Sequence, residues 1–375
     1  MYKRQNKYTA TPIAVVAVCV ALGCQSDIKR SFTSENRIAI TNVRELSDNY
    51  GFISGAVRLA SGSVVVADEG RNQIRIFKVG SKAPTTLAHQ GKQRGEFASL
   101  HQIQRCGDDT LVGYDDSASK LEIFTESDYI RQVSLPPKLL GANFVGCMGM
   151  DSLVFEKLPE QLPGFGQQLF TQTVFRFDAI TGQLEWMTTL RGTEMFVSRV
   201  VKAFYPRPFG VHAILAVGKG GVYISESDSS LVLKLLEDGS RTSIFLPRIR
   251  SRRLTSSDRT QYEKEQVATA PDRKSAKNMK YLWDEADWGT RVPALDRLLV
   301  STTGDLWVRQ PPSSSDTSAA WMIAPYKSKK FASALLNSDW DPIFVDSSTI
   351  LARRLSKSGQ HQLIQIEYRM QQGKQ

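Results

Sequence analysis

The chain has 375 residues, of which 41% are apolar and 23% charged, with 26 glycines, 15 prolines and four cysteines. That composition excludes a disordered tail, a collagen, a disulfide-stapled miniprotein and a polytopic membrane protein. The formal net charge is +10, part of it carried by Lys3, Arg4 and Lys7 in a segment expected to be removed.

Those three cations precede an apolar stretch of 11 residues, Ile13 to Gly23. A bilayer crossing takes ~20 residues, so the pattern reads as a secretory signal. The stretch ends Val20-Ala21-Leu22-Gly23-Cys24 and resembles a bacterial lipobox, with Ala21 where leucine is usual. The resemblance implies a signal peptide over 1–23, lipidation of Cys24, and a linker over 24–36. Ordinary cleavage with Cys24 left free is the alternative. Gln25 after the cysteine, rather than aspartate, directs the expectation to a bacterial cell envelope. The chain is then an outer-membrane lipoprotein, on the periplasmic or surface face, anchored to the membrane without spanning it.

The next signal is repetition. Val64–Asp68 followed by Gln73–Phe77 aligns without a gap on Leu111–Asp115 followed by Lys120–Phe124, at an offset of 47 residues. Each unit is two β-rich runs around a polar turn that begins with an acid, which reads as a hairpin. The acid is expected to accept hydrogen bonds from N–H groups two or three residues on. Val222–Glu226 with Val232–Leu235 repeats the pattern. Weaker copies are Ser152–Phe155 with Val174–Phe177, Leu306–Val308 with Trp321–Ile323, and Ile350–Ala352 with Gln362–Ile366, six in all. Further strands flank several copies, so the period is ~45–55 residues, that of a propeller blade. The spare strand at 37–43 has no unit of its own. It is expected to close the ring by pairing in the last blade, hiding its edge.

At these residues the chain resembles a known group. Val66-Ala67-Asp68 with Asn72–Phe77, the stretch Gly91–Phe97 ending Gly-Glu-Phe, and Gly304-Asp-Leu-Trp-Val308 look like NHL-type six-bladed propellers. More narrowly, the chain is similar to uncharacterised bacterial secreted or lipoprotein members. The resemblance implies an all-β, six-bladed propeller over 37–375. It transfers no single activity.

Residues 248–290 abandon the strand pattern and are expected to form a helical hairpin inserted between blades 4 and 5. Ser256-Ser257-Asp258 reads as its N-cap, Pro271 as the first turn of its second helix, and Gly289 as its stop. From Arg248 to Lys280 there are ten Lys or Arg against four Asp or Glu. Arg248, Arg250, Arg252 and Arg253 are therefore candidates for an anionic surface, either a ligand or lipid headgroups. A plainly solvated hairpin is the other reading. Tyr281, Trp283 and Trp288 read as packing residues, so no nucleic acid is expected.

Stepping back ten residues from the start of each second strand reaches Ser54, His101, Asn143, His212 and Asp296, and in the last unit Trp340 beside Asp341. In NHL-like repeats this is where the chain enters the innermost strand. These side chains are thus candidates to converge on the channel mouth. His101, His212 and Asp296 include donors suited to zinc or calcium, as six-bladed lactonases and amidating lyases place them. Polar groups that merely satisfy backbone and water are the alternative. Cys106 and Cys147, left in an oxidising compartment, form a disulfide or remain as two buried thiols. No Walker A, Rossmann fingerprint or Gly-x-Ser-x-Gly elbow is present.

The sequence therefore reads as a membrane-anchored, non-enzymatic binding or scaffold propeller for a protein, peptide or glycan, with no cofactor. The alternative is a metal-dependent, lactonase-like lyase or hydrolase using zinc or calcium in the channel.

Overall fold

The computed structural model describes residues 36–372 except 82, 160–163, 201–203, 248, 269–272, 327, 329 and 357–358. The signal peptide, Cys24, most of the linker, Arg248 and Pro271 lie outside the described residues.

All six hairpins expected from the repeat are present as antiparallel pairs. They belong to successive sheets. Sheet 1 is Ile53–Arg58, Val64–Asp68, Gln73–Phe77 and Thr85–Ala88. Sheet 2 is Leu100–Arg105, Leu111–Asp115, Lys120–Phe124 and Tyr129–Ser134. Sheet 3 has five strands: Asn143–Cys147, Ser152–Lys157, Gly166–Asp178, Leu184–Val197 and Phe204–Pro206. Sheet 4 is Ala213–Gly218, Gly221–Glu226, Leu231–Leu235 and Arg241–Phe245. Sheet 5 is Arg297–Val300, Leu306–Arg309, Ser318–Ala324 and Ala332–Asn337. Sheet 6 is Asp341–Val345, Thr349–Leu355 and His361–Gln372, completed by the first strand of the described chain, Asn36–Tyr50.

That last pairing is the expected closure. Asn36–Tyr50 runs antiparallel to His361–Gln372, from Asn36↔Gln372 to Tyr50↔His361. Its first two residues also pair in parallel with Ala332 and Ser333, which joins sheets 5 and 6 into eight continuous strands. The leading strands touch in cyclic order: sheet 1 meets 2, 2 meets 3, and so on until sheet 6 meets sheet 1 again.

The apolar core lies between the faces of neighbouring sheets. Tyr114, Leu121 and Ile123 of sheet 2 pack against Phe144, Phe155 and Phe177 of sheet 3. Trp307 and Trp321 of sheet 5 pack with Ile350 and Ile364 of sheet 6. Interior strands such as Val64–Asp68 and Leu111–Asp115 are buried along their whole length. This explains why they read as continuous apolar runs instead of alternating ones. Each large side chain buried this way contributes about 1.5–3 kcal/mol. Gly113 stands where the first repeat has Val66, and a Cβ there would meet the Phe97 ring at 2.5 Å. The missing side chain makes the seat for the phenylalanine of Gly-Glu-Phe.

Two features depart from expectation. The third and fourth strands of sheet 3 are 13 and 14 residues long. Their pairing carries a bulge at Arg191–Gly192, opposite Thr171, and a Cβ on Gly192 would collide with the Phe170 carbonyl. The repeated acids also reach further back than a turn. Asp68 Oδ1 accepts from the N–H of Gly51 and Phe52, at 3.0 and 3.2 Å. Asp115 takes Ala98 and Ser99 at 2.7 and 3.2 Å; three positions on, Asp115 accepts from the Ala118 N–H at 3.1 Å and Asp68 from Arg71 Nη1 at 3.4 Å. Glu226 gives way to Ser227, whose hydroxyl accepts from His212 N at 3.1 Å.

Between sheets 4 and 5 lie α1 (Ser256–Ala268) and α2 (Arg273–Glu285), with Arg252–Arg253 and Arg291–Val292 paired at their base. The N-cap of α1 is Thr255, one residue before the expected site. Its hydroxyl accepts from Asp258 N at 3.2 Å while Asp258 Oδ2 accepts from Thr255 N at 3.0 Å, a capping box. The second helix ends at Glu285, whose carboxylate accepts from Ser198 Oγ at 2.7 Å and Arg199 N at 2.9 Å. The Ser198 bond holds Glu285 below its ordinary pKa.

Candidate functional site: a lidded cavity and the ring centre

The leading strands enclose a central channel of about 580 Å³ that all six sheets line. At one mouth is a shallow cavity of about 440 Å³. Between the ring and α1 is a third space of about 690 Å³, walled by the long arms of sheet 3 and by Arg252, Asp258, Gln261 and Tyr262 of the insertion.

His101, Asn143, His212 and Asp296 all line the 440 Å³ mouth, and His212 and Asp296 also line the lidded cavity. Ser54 does not join them; it lines the channel. Ser54 and His101 sit at matching bulges, between Ile53 and Gly55 and between Leu100 and Gln102. In sheet 6 the step-back position is one residue off. Trp340 packs beside the core of sheets 5 and 6, and Asp341 faces the ring centre instead. A one-residue slip in a strand changes the face presented.

Each mouth residue has a partner. His101 Nδ1 lies 4.0 Å from Glu69 Oε1, with the Tyr114 ring edge-on at 6.1 Å. His212 Nδ1 is 3.3 Å from the Gly210 carbonyl, which only accepts, so this nitrogen carries the proton. Asn143 Nδ2 donates to Glu156 Oε1 at 3.3 Å. Asp296 accepts both Nε and Nη2 of Arg309, at 2.7 and 2.9 Å. Among the described residues no three His, Cys, Asp or Glu side chains stand close enough to share a metal ion. His101, His212 and Asp296 therefore line one cavity without forming a ligand trio.

Electrostatically the mouth has two halves. Burial pushes the Glu69 and Glu156 carboxyls above their ordinary pKa, opposed by His101 at Glu69 and by the Asn143 bond at Glu156. Across the ring, burial also acts to raise Asp341. The guanidiniums of Arg297, Arg353 and Arg309 overcome it and hold this carboxyl below its ordinary value. Glu156, Arg309 and Arg353 were not singled out from sequence, yet the register contains them. Asn143 pairs with Glu156, Arg297 with Arg309 and Asp341 with Arg353 across adjacent strands.

The arginines of the insertion base divide. Arg250 and Arg253 are exposed. Arg252 is not an anionic-surface residue. Its guanidinium grips both oxygens of buried Asp258, at 2.6 and 2.7 Å, and donates to the Pro312 carbonyl at 3.2 Å. Burial works to raise Asp258, but the bonds from Arg252 and Thr255 win and hold it well below the ordinary carboxylate range. Trp288 packs with Phe209 and Tyr262, ring centroids 6.2 and 5.8 Å away, whereas Tyr281 is exposed. Phe209 lines the lidded cavity at φ +56°, a conformation that costs a bulky residue about 1–3 kcal/mol. Cys106 and Cys147, at the ends of the leading strands of sheets 2 and 3, are joined as a disulfide with Cα atoms 5.4 Å apart.

No protein-family model and no curated protein matches the chain. Solved structures that resemble it are β-propeller-like proteins. Virginiamycin B lyase from Staphylococcus aureus is 12% identical, with 88% of this chain and 99% of that chain covered and a TM-score of 0.39. A putative exported protein from Bacteroides fragilis is 9% identical, with 89% and 95% covered and a TM-score of 0.46. A luciferin-regenerating enzyme is 9% identical, with 87% and 95% covered and a TM-score of 0.45.

Proposed function

We propose that the chain is a six-bladed propeller, lipid-anchored at Cys24 to a bacterial envelope, that binds a peptide or glycan segment of a partner without transforming it. The six hairpins, the cyclic contacts of the leading strands and the closure by Asn36–Tyr50 support the blade count. The helical insertion is then a lid between blades 4 and 5.

One observation carries the binding reading: the cavity of about 690 Å³ under α1. Small-ligand sites occupy ~300–1,000 Å³ and combine apolar walls with a few placed polar groups. Here Leu158, Met195, Phe209 and Tyr262 supply apolar and aromatic surface. Three charge pairs stand beside them: Arg309 with Asp296, Arg252 with Asp258 and Arg207 with Glu194. Such pairs present oriented donors and acceptors to hydroxyl and amide groups. Asp316, which accepts from Ser313 N at 2.7 Å, and Asp339 line the same cavity. The strained Phe209 backbone, held between Pro208 and Gly210, fits a surface shaped for contact.

The test is to probe oligosaccharide and short-peptide arrays with the mature chain carrying Cys24→Ser. Binding to one class, lost on Tyr262→Ala, is the expected result. Binding unchanged by that substitution, or binding to neither class, contradicts the reading.

A further inference from the structure

We propose that the central channel holds an anion site, built by Arg297 and Arg353, that takes the carboxylate of a small organic acid. This goes beyond the lidded cavity, which lies on the other side of Arg309.

Three guanidiniums converge on one carboxylate at the ring centre. Arg297 Nη1 bonds Asp341 Oδ1 and donates to the Pro342 carbonyl at 2.9 Å. Arg353 Nε donates to Asp341 Oδ2 at 2.8 Å and its Nη1 to the Ile53 carbonyl at 2.7 Å. Arg309 Nη1 stands 3.6 Å from the same aspartate while its other nitrogens hold Asp296. The cluster thus sets three guanidiniums against the carboxylates of Asp341 and Asp296, and Glu69 acts on Arg353 as a further acid.

The geometry leaves donors over. Among the described residues Arg297 Nε and Nη2, and Arg353 Nη2, have no acceptor, and both side chains line the channel. They are not among the sealed polar atoms that lack a partner, so they reach the channel interior. Asp341 fixes the two guanidiniums side by side, which pre-orients the spare N–H groups as a fork. A guanidinium fork matches a carboxylate in two parallel bonds. With Glu69 acting on Arg353 as a third acid, little net positive charge remains to hold a doubly charged phosphate. Burial and the neighbouring Arg309 and Arg353 disfavour the charged form of Arg297, against the pull of Asp341. An anion in the channel relieves that imbalance. The other charged groups facing this space are Arg105, bonded to the Arg58 and Gly107 carbonyls and to Asp108, and exposed Lys219.

The experiment is thermal unfolding and isothermal titration of the full mature chain with acetate, benzoate and inorganic phosphate, against chloride at matched ionic strength. The proposal expects saturable stabilisation by the carboxylates, weaker for phosphate. Arg297→Gln, which removes a guanidinium disfavoured by burial and by Arg309 and Arg353, is expected to fold at least as stably without anion. It should bind carboxylate about tenfold or more weakly, the effect of losing charge-assisted hydrogen bonds. Arg297→Lys keeps the charge but not the fork, so it retains the fold and also binds more weakly. That second variant keeps the test decisive if Arg297→Gln does not fold. Stabilisation no greater than chloride gives, equal binding by wild type and Arg297→Lys, or a preference for phosphate overturns the proposal.

Discussion

Asp68 and Asp115 stand 47 residues apart in sequence and do the same work one sheet apart: each collects the N–H groups of the residues 17 and 16 positions before it. Both acids are fully buried. Each therefore ties the entry of its sheet's leading strand to the end of the second strand. The match extends to backbone shape, since Asn72 and Ser119, also 47 apart, both have positive φ.

Removing one such acid takes the shared carboxylate acceptor away from two backbone donors. Asp68→Ala is expected to lower unfolding free energy by about 3 kcal/mol, measured by urea denaturation. Asp68→Asn, which keeps one acceptor, should lose less. A loss below about 0.5 kcal/mol, typical of surface changes, would show that these bonds do not hold the entry.

The disulfide staples neighbouring sheets across a 41-residue separation. Chain-entropy arguments give such a loop about 4 kcal/mol of stabilisation. Cys106→Ser with Cys147→Ser should lower the melting temperature, and reductant should lower it for the wild type alone. Equal response of both proteins to reductant would contradict the pairing.

Glu156 carries a pH signature. Its carboxyl is raised from the ordinary 4.5 by burial, so the folded state favours the protonated form. Its contribution is fully present below that value and is lost as pH rises through the raised pKa. The melting-temperature difference between Glu156→Gln and wild type should therefore grow in favour of the variant from acid toward neutrality. A flat difference would place this carboxyl in ordinary solvent.

Asp258 has the opposite sign. Its carboxyl is held below the ordinary 3.8, so its contribution is present above that value and is lost as pH falls through the depressed pKa. Hydrogen exchange in α1 should accelerate sharply only at strongly acid pH. Asp258→Asn should show fast exchange already at neutral pH. If it exchanges like wild type, the grip of Arg252 does not hold the lid.

Much of this fold is legible in sequence because a closed ring repeats its hairpin. The strand at 37–43 and the six paired runs follow from counting. The reach of Asp68 to Gly51 does not, because turn chemistry looks forward and these donors lie behind. The partners at the mouth escaped for a related reason: Glu156 and Arg309 become neighbours of Asn143 and Arg297 only once register is written out. Arg252 looked like surface charge because its partner is six residues on, across the start of a helix. The long arms of sheet 3, which wall the lidded cavity, carry no copy of the repeat beyond their first hairpin.

The most direct test of the binding account is isothermal titration of the best array ligand against wild type and Leu158→Trp, a substitution that fills the lidded cavity from a partly buried wall position. The account predicts at least about a tenfold loss of affinity, or 1.4 kcal/mol, with an unchanged melting temperature. Equal affinity in the two proteins would place the ligand elsewhere and contradict the account.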